Sequence, residues 1–341
     1  MRFDSLMIHA LRELCWGEPN VKRIAEKVGV PRTTLYSRVR ALRKEGKIRA
    51  CPNYFALDLQ PVVVFAKTPP SNLILPYLIS IVGIEGAVGY YSLALYAFPN
   101  VFLSKYTGIL KEKGGVLEVS RAYNPVYWIP EPDVLIPSYG GLGFNWREFD
   151  SKLDYWELRE NLLRIQPPSR LDETDAFIVK ELEKDIFTPI KKIAEMLKIH
   201  PNLALYHYRR HVRTLITRNI VELKLNYKAL PKLFVFYVRD KGSLSKITSA
   251  LARLPFTLFI YPLLDKFKVY GALALSQSEE RRMFRSLRLL AGGGFLEKVE
   301  GVGFLDSDSR RVHCIPHLLF KGESWIFSTE ISIGIGEPIL D

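Results

Sequence analysis

Cysteine is nearly missing from the chain: Cys15, Cys51 and Cys314 are the only three in 341 residues, far apart and without a CxxC pair. So few thiols, so spaced, build neither a disulfide framework nor a zinc knuckle, and they suit a reduced, intracellular protein. Long apolar runs are missing too. The longest, such as "YYSLALYAF", fall well short of the roughly 20 residues that span a bilayer. The opening "MRFDSLMIHALREL" is broken by Asp4, His9, Arg12 and Glu13, so no signal peptide is expected. The glycine clusters "GGLG" (140–143) and "AGGG" (291–294) lack the Lys-Ser/Thr sequel of a phosphate loop. His207 and His211 stand four apart but without an HExxH arrangement, and "HCIPH" (313–317) holds its neighbours apart at Pro316. Neither a metal nor a cofactor is expected. Acidic residues are outnumbered, 36 against 48 Lys and Arg, and the net charge of +12 favours a polyanionic partner, nucleic acid first.

What is present is repetition. "KRIAEKVGV" (22–30) returns as "KKIAEMLKI" (191–199), half a chain later. Each copy follows a helical pattern opening near an Asp, "FDSLMIHALREL" and "LDETDAFIVKELEK", and precedes a basic helix and a short extended run. Apolar residues Ile24, Ala25, Val28, Leu35, Val39 and Leu42 keep helical spacing, yet no helix runs through Pro31 unbroken. The pattern predicts two helices and a tight turn at Gly29, closed by a two-stranded wing: a winged helix-turn-helix in each half.

Behind each wing the pattern reads βαββαβ, the order of a ferredoxin-like antiparallel sheet with two helices on one face. In the first half "SNLILPYLISIVG" is expected to be a helix kinked at Pro76; in the second, "SLSKITSALARLP" takes that place. The sheet strands are apolar on both faces, so the two units are expected to pack face to face within one chain. The expected fold is thus α+β, with winged helices at 1–58 and 171–228 and ferredoxin-like units at 59–130 and 229–308. A linker with a helix occupies 131–170, and a C-terminal extension at 309–341 carries an extra strand at Trp325 to Ile335.

In the basic helix of the first half, Leu35, Val39 and Leu42 mark the buried stripe. Thr33, Ser37, Arg40 and Lys44 then face outward, flanked by Arg32 and Tyr36. These side chains suit phosphates and base edges. Residues 1–58 carry 12 basic against 6 acidic residues, whereas 171–228 carry 11 against 8, so charge concentrates at the first motif. The second copy offers Asn202, Tyr206, His207, Arg210 and Arg213. Arg281, Arg282, Arg285 and Arg288 form another basic face, read as solvated charge.

The first motif resembles the DNA-binding domain of the Lrp/AsnC regulators through Ile24-Ala25, Gly29, Thr34-Leu35, Arg38-Val39 and Gly46-Lys47-Ile48, and the βαββαβ units resemble that family's second module. The second copy departs from it, with Lys198 in place of the turn glycine. The resemblance implies a non-enzymatic transcriptional regulator, cytoplasmic and nucleoid-associated. It would bind double-stranded DNA through Arg32, Thr33, Thr34, Tyr36, Ser37, Arg38, Arg40, Lys44 and Lys47, aided by the second-copy residues above. It would have no cofactor, and a homodimer is possible. An architectural DNA-binding protein is a variant of this reading. The alternative is enzymatic: the sirohaem decarboxylases share this fused architecture. The chain lacks the Tyr-Asn-Leu-Trp-Phe-like strand and the Tyr-Arg-x-x-His site of that family, reading "YSLALYAF" and "VYGALALS" there.

Overall fold

The computed structural model describes residues 2–139, 141–153, 155–156, 162–223 and 229–340. A two-residue strand β1 (Arg2–Phe3) leads into α1 (Ser5–Trp16), α2 (Val21–Val28) and α3 (Arg32–Glu45), followed by strand β2 (Gly46–Pro52). Asp4 caps α1 by accepting from the Met7 N–H at 2.9 Å. Gly29 ends α2 in the left-handed region at φ 74°, where the chain turns before Pro31.

The first βαββαβ unit comprises β3 (Leu59–Ala66), β4 (Leu78–Gly86), β5 (Gly89–Pro99), α4 (Leu103–Glu112) and β6 (Val116–Arg121). The helix expected at "SNLILPYLISIVG" does not form. Pro69, Pro70 and Pro76 allow only a 3₁₀ turn, Pro70–Leu73, and the β-branched "LISIV" joins β4. Next come β7 (Leu135–Tyr139), which pairs with β1 and with β8 (Gly141–Phe144), and α5 (Trp146–Ser151). Of the expected linker helix beyond Ser151, residues 154 and 157–161 lie outside the described residues.

The second half repeats the order: α6 (Glu173–Lys184), α7 (Ile190–Leu197), α8 (Pro201–Arg210) and β9 (Ile216–Leu223), then β10 (Lys232–Val238), α9 (Lys241–Arg253), β11 (Thr257–Pro262), β12 (Lys268–Leu273), α10 (Gln277–Gly292) and β13 (Leu296–His313). The chain ends with β14 (Phe320–Lys321), β15 (Ser324–Trp325), α11 (Ile331–Gly334) and β16 (Pro338–Leu340). No strand spans Trp325 to Ile335. A short hairpin and a helical turn stand there instead, and β16 pairs with β13.

Sheets are antiparallel throughout. The strands run β11-β12-β10-β13-β4-β5-β3-β6, so each unit keeps the ferredoxin-like order and the halves join at β13 and β4. At the far edges Ala122 and Val126 bridge to Leu263 and Ile260. Two sheets joined along both edges enclose a common interior, crossed by the Ser80–Tyr261 hydroxyl pair at 2.7 Å and by Phe65 against Tyr270 at 5.9 Å. Among the described residues no helix is long and apolar enough to cross a membrane.

The expected two-stranded wings are also replaced. Each half supplies one strand, and β2 pairs with β9. Gly46 sits at this crossing, where a Cβ would meet the Glu222 carbonyl at 2.1 Å, so the glycine before Lys47-Ile48 serves close strand approach. The helices cross over as well. Asn219 of β9 donates to the Leu14 and Gly17 carbonyls at 2.6 and 2.9 Å, and the Ile186 N–H donates to the Ile48 carbonyl at 3.0 Å.

Candidate functional site

The β2–β9 pair places Arg49 and Glu222 on one face, two positions apart across the ladder. Arg49, 3% exposed, grips Glu222 with two bonds, Nε to Oε2 at 3.2 Å and Nη2 to Oε1 at 3.1 Å. Arg310 of β13 approaches the same carboxylate at 3.7 Å. Burial alone would raise the pKa of Glu222, but Arg49, with Arg310 and Lys47 behind it, outweighs this and holds it below the usual range. The Arg49 guanidinium also lies 5.3 Å from the ring centre of buried Tyr127, whose hydroxyl burial keeps protonated above its ordinary range.

Beside this cluster opens a cavity of about 310 Å³ whose lining includes Tyr127, Trp128, Glu222, Phe256, Thr257 and Arg310. Its walls are aromatic and aliphatic, and a few polar groups converge on it, as small-molecule sites require. Trp128 is buried, and its indole N–H has no hydrogen-bond partner. Such an orphan donor is satisfied by a ligand acceptor or water. Across the β2 interior lies Glu183, which accepts the Ile315 N–H at 2.8 Å. Burial pushes its pKa up to about 8, with the Ile315 N–H and Arg49 pulling the other way, so it is mostly neutral at pH 7.

Apart from Lys47, assigned there to DNA, none of these residues was marked by the sequence. Their partners lie on the other half, and the pair Arg49–Glu222 spans 173 positions. The one available signal was the alternation of Lys47 and Arg49 in a strand otherwise apolar.

The expected DNA-facing residues fall into two groups. Arg32, Thr33, Tyr36, Ser37, Arg40 and Lys44 lie exposed on α3, with Thr34 half-buried behind them; Asn202, Tyr206 and Arg210 are exposed on α8. The rest are engaged inside the protein. Arg38 pairs with Asp4 at 2.6 Å, Arg213 with Glu18 at 2.5 Å, and Lys47 donates to the Ile339 carbonyl. His207 is buried on Asp175 at 2.9 Å, because Ala204, His207 and His211 form the inward stripe of the second copy. In "HCIPH", His313 bonds the Gly336 carbonyl at 3.2 Å and Cys314 is buried, so these residues do not converge.

No protein-family profile matches the sequence, and no curated protein does. Among solved structures, the crystal structure of the siroheme decarboxylase NirDL is similar at 11% identity and a TM-score of 0.52, over 89% of this chain and 91% of that one. The same enzyme in co-complex with an iron-uroporphyrin III analogue is similar at 12% identity, over 89% and 90%, with a TM-score of 0.50. These likenesses establish the fold. They also overturn the reading as an Lrp/AsnC transcriptional regulator and a non-enzyme: the architecture that carried that resemblance is that of solved enzymes. The assignment to DNA-binding transcription regulation falls with it, and no observation supports a nucleoid association.

Proposed function

We propose that this chain is an enzyme of the siroheme-decarboxylase type, made of two fused winged-helix and ferredoxin-like halves divided as the sequence pattern suggests, and that it removes carboxyl groups from a polycarboxylated tetrapyrrole or a close analogue. The observation that carries the reading is the likeness of fold along nearly the whole of both chains. The cavity supports it chemically. Arg310 suits a substrate carboxylate, and Phe256 and Trp128 suit the edge of a flat apolar ring. At about 310 Å³ the cavity takes a substituent arm, with the macrocycle over its mouth.

Loss of carbon dioxide breaks the bond to the carboxyl carbon and leaves its electron pair on the substrate, which must collect a proton. Tyr127, kept protonated by burial and oriented under Arg49, is the donor available in the cavity, and solvent restores its proton. Because "YSLALYAF" and "VYGALALS" differ from the strands of the known enzymes, no catalytic residue is carried over from them.

Titration with iron uroporphyrin III is expected to produce a stoichiometric Soret change, and incubation should yield products lighter by successive losses of carbon dioxide. Arg310→Ala should weaken binding roughly tenfold through the loss of one good polar contact, and Trp128→Ala by a similar factor through lost ring contact. Arg40→Ala, on the exposed face of α3, should change nothing. A flat titration, or unchanged affinity in both cavity variants, removes this reading.

A further inference from the structure

Away from that cavity, α6 and α8 bring together a second cluster. Asp175, fully buried in the first turn of α6, turns its two carboxylate oxygens to two imidazoles: Oδ1 lies 2.9 Å from His207 Nδ1 and Oδ2 lies 3.0 Å from His211 Nδ1. The carboxylate of Asp172 stands 3.6 Å from His207 Nδ1. The ligand atoms of Asp175, His207 and His211 all lie within 4.8 Å of one another.

We propose that Asp175, His207 and His211 form a site for a divalent transition cation, zinc foremost, with Asp172 or water in the fourth position. Three observations carry this. First, the ligand atoms lie within 4.8 Å of one another, and bonds of about 2.0–2.2 Å to nitrogen and oxygen in a tetrahedron place them roughly 3.3 Å apart, so a small closure of the three side chains completes the site. Second, the histidines stand four residues apart, His207 in the last turn of α8 and His211 at its C-terminal cap, and both turn Nδ1 to the Asp175 carboxylate. Third, Asp175 does not need both of them. Its Oδ2 already accepts the Asp172 N–H at 3.1 Å in a capping box, so one imidazole would satisfy it. Two carboxylates beside two imidazoles form the oxygen and nitrogen set that a divalent cation takes.

The position suggests the use. The second helical unit lacks the turn glycine of the first, and Lys198 takes the left-handed conformation at φ 56° in its place, a conformation disfavoured for a side chain with a Cβ. A cation clasping α6 to α8 holds that unit closed. Tyr206 packs its ring at 5.8 and 5.7 Å from the two imidazoles and shields the site's outer side.

The test uses the full chain, freed of any affinity tag and stripped with a chelator. Equilibrium dialysis against zinc, with elemental analysis, should return one ion per chain, and cobalt in its place should give the intense visible bands of a four-coordinate ion. His211→Ala and His211→Gln should each lower bound metal at least about tenfold, the loss expected when a ligand is removed. His200→Ala, an exposed histidine outside the cluster, should bind as wild type. His211→Gln keeps a hydrogen bond to Asp175 and so separates lost ligation from lost folding, which far-UV circular dichroism reports. Absence of zinc and cobalt from the wild-type chain at micromolar concentrations, or wild-type metal binding in both His211 variants, overturns the site and leaves a hydrogen-bonded clasp.

Discussion

Arg49→Met is expected to destabilise the protein by about 3 kcal/mol, and Glu222→Leu added to it should restore most of that loss. Arg49 is 3% exposed, and its side chain is the buried half of a bidentate pair that ties β2 of one half to β9 of the other. Methionine replaces its volume but not its charge. Glu222, 20% exposed, would then keep Arg310 at 3.7 Å and the weaker pull of Lys47. The cost lies mainly in leaving a largely desolvated carboxylate without its partner, not in losing an attraction. Removing both charges removes that penalty, so the double variant should exceed the single one in urea-unfolding stability at pH 7. A loss under about 1 kcal/mol, or a double variant no better than Arg49→Met, would show that the pair is well solvated.

How much of this was legible in the sequence depends on how far the governing contact lies along the chain. The turn at Gly29, the buried stripe of Leu35, Val39 and Leu42, the strand order of both units and the full βαββαβ order of the second are local or periodic, and the structure has them. The first crossover helix was misread because "LILPYLISIV" is apolar all along. Such a run suits strand or helix equally, and the surrounding prolines with β-branched residues decide for the strand. The wings were misread for another reason. A strand's partner is not written in its own residues, and β2 found its partner across the chain in β9. The error of function has the same root. An exposed row of Arg32, Arg40 and Lys44 is the same pattern whether it meets DNA or water, while Arg49, Tyr127, Glu222 and Arg310 gather from four distant segments and leave no spacing to read.

Glu183→Gln is expected to change how stability depends on pH. Glu183 is 1% exposed, and burial, opposed by the Ile315 N–H and Arg49, pushes its pKa up to about 8 from an ordinary 4.5. A carboxyl whose folded pKa is raised contributes stability that is fully present below the unfolded value. Between about 4.5 and 8 the unfolded chain releases this proton and the folded chain keeps it, so stability falls as pH rises and levels off once the folded group also ionises. Taken at face value the interval corresponds to roughly 4 to 5 kcal/mol, an upper bound, because relaxation and water entry soften the penalty of a buried charge. Glutamine stays neutral at every pH and still offers an oxygen to the Ile315 N–H, so it removes the titration without removing the acceptor. Urea-unfolding free energies for the two proteins should therefore lie within about 1 kcal/mol of each other at pH 5 and diverge steadily to pH 9, with the variant the more stable. Curves that stay parallel across that range would mean that Glu183 is ionised in the folded protein at neutral pH, and that Arg49 serves it as well as Glu222.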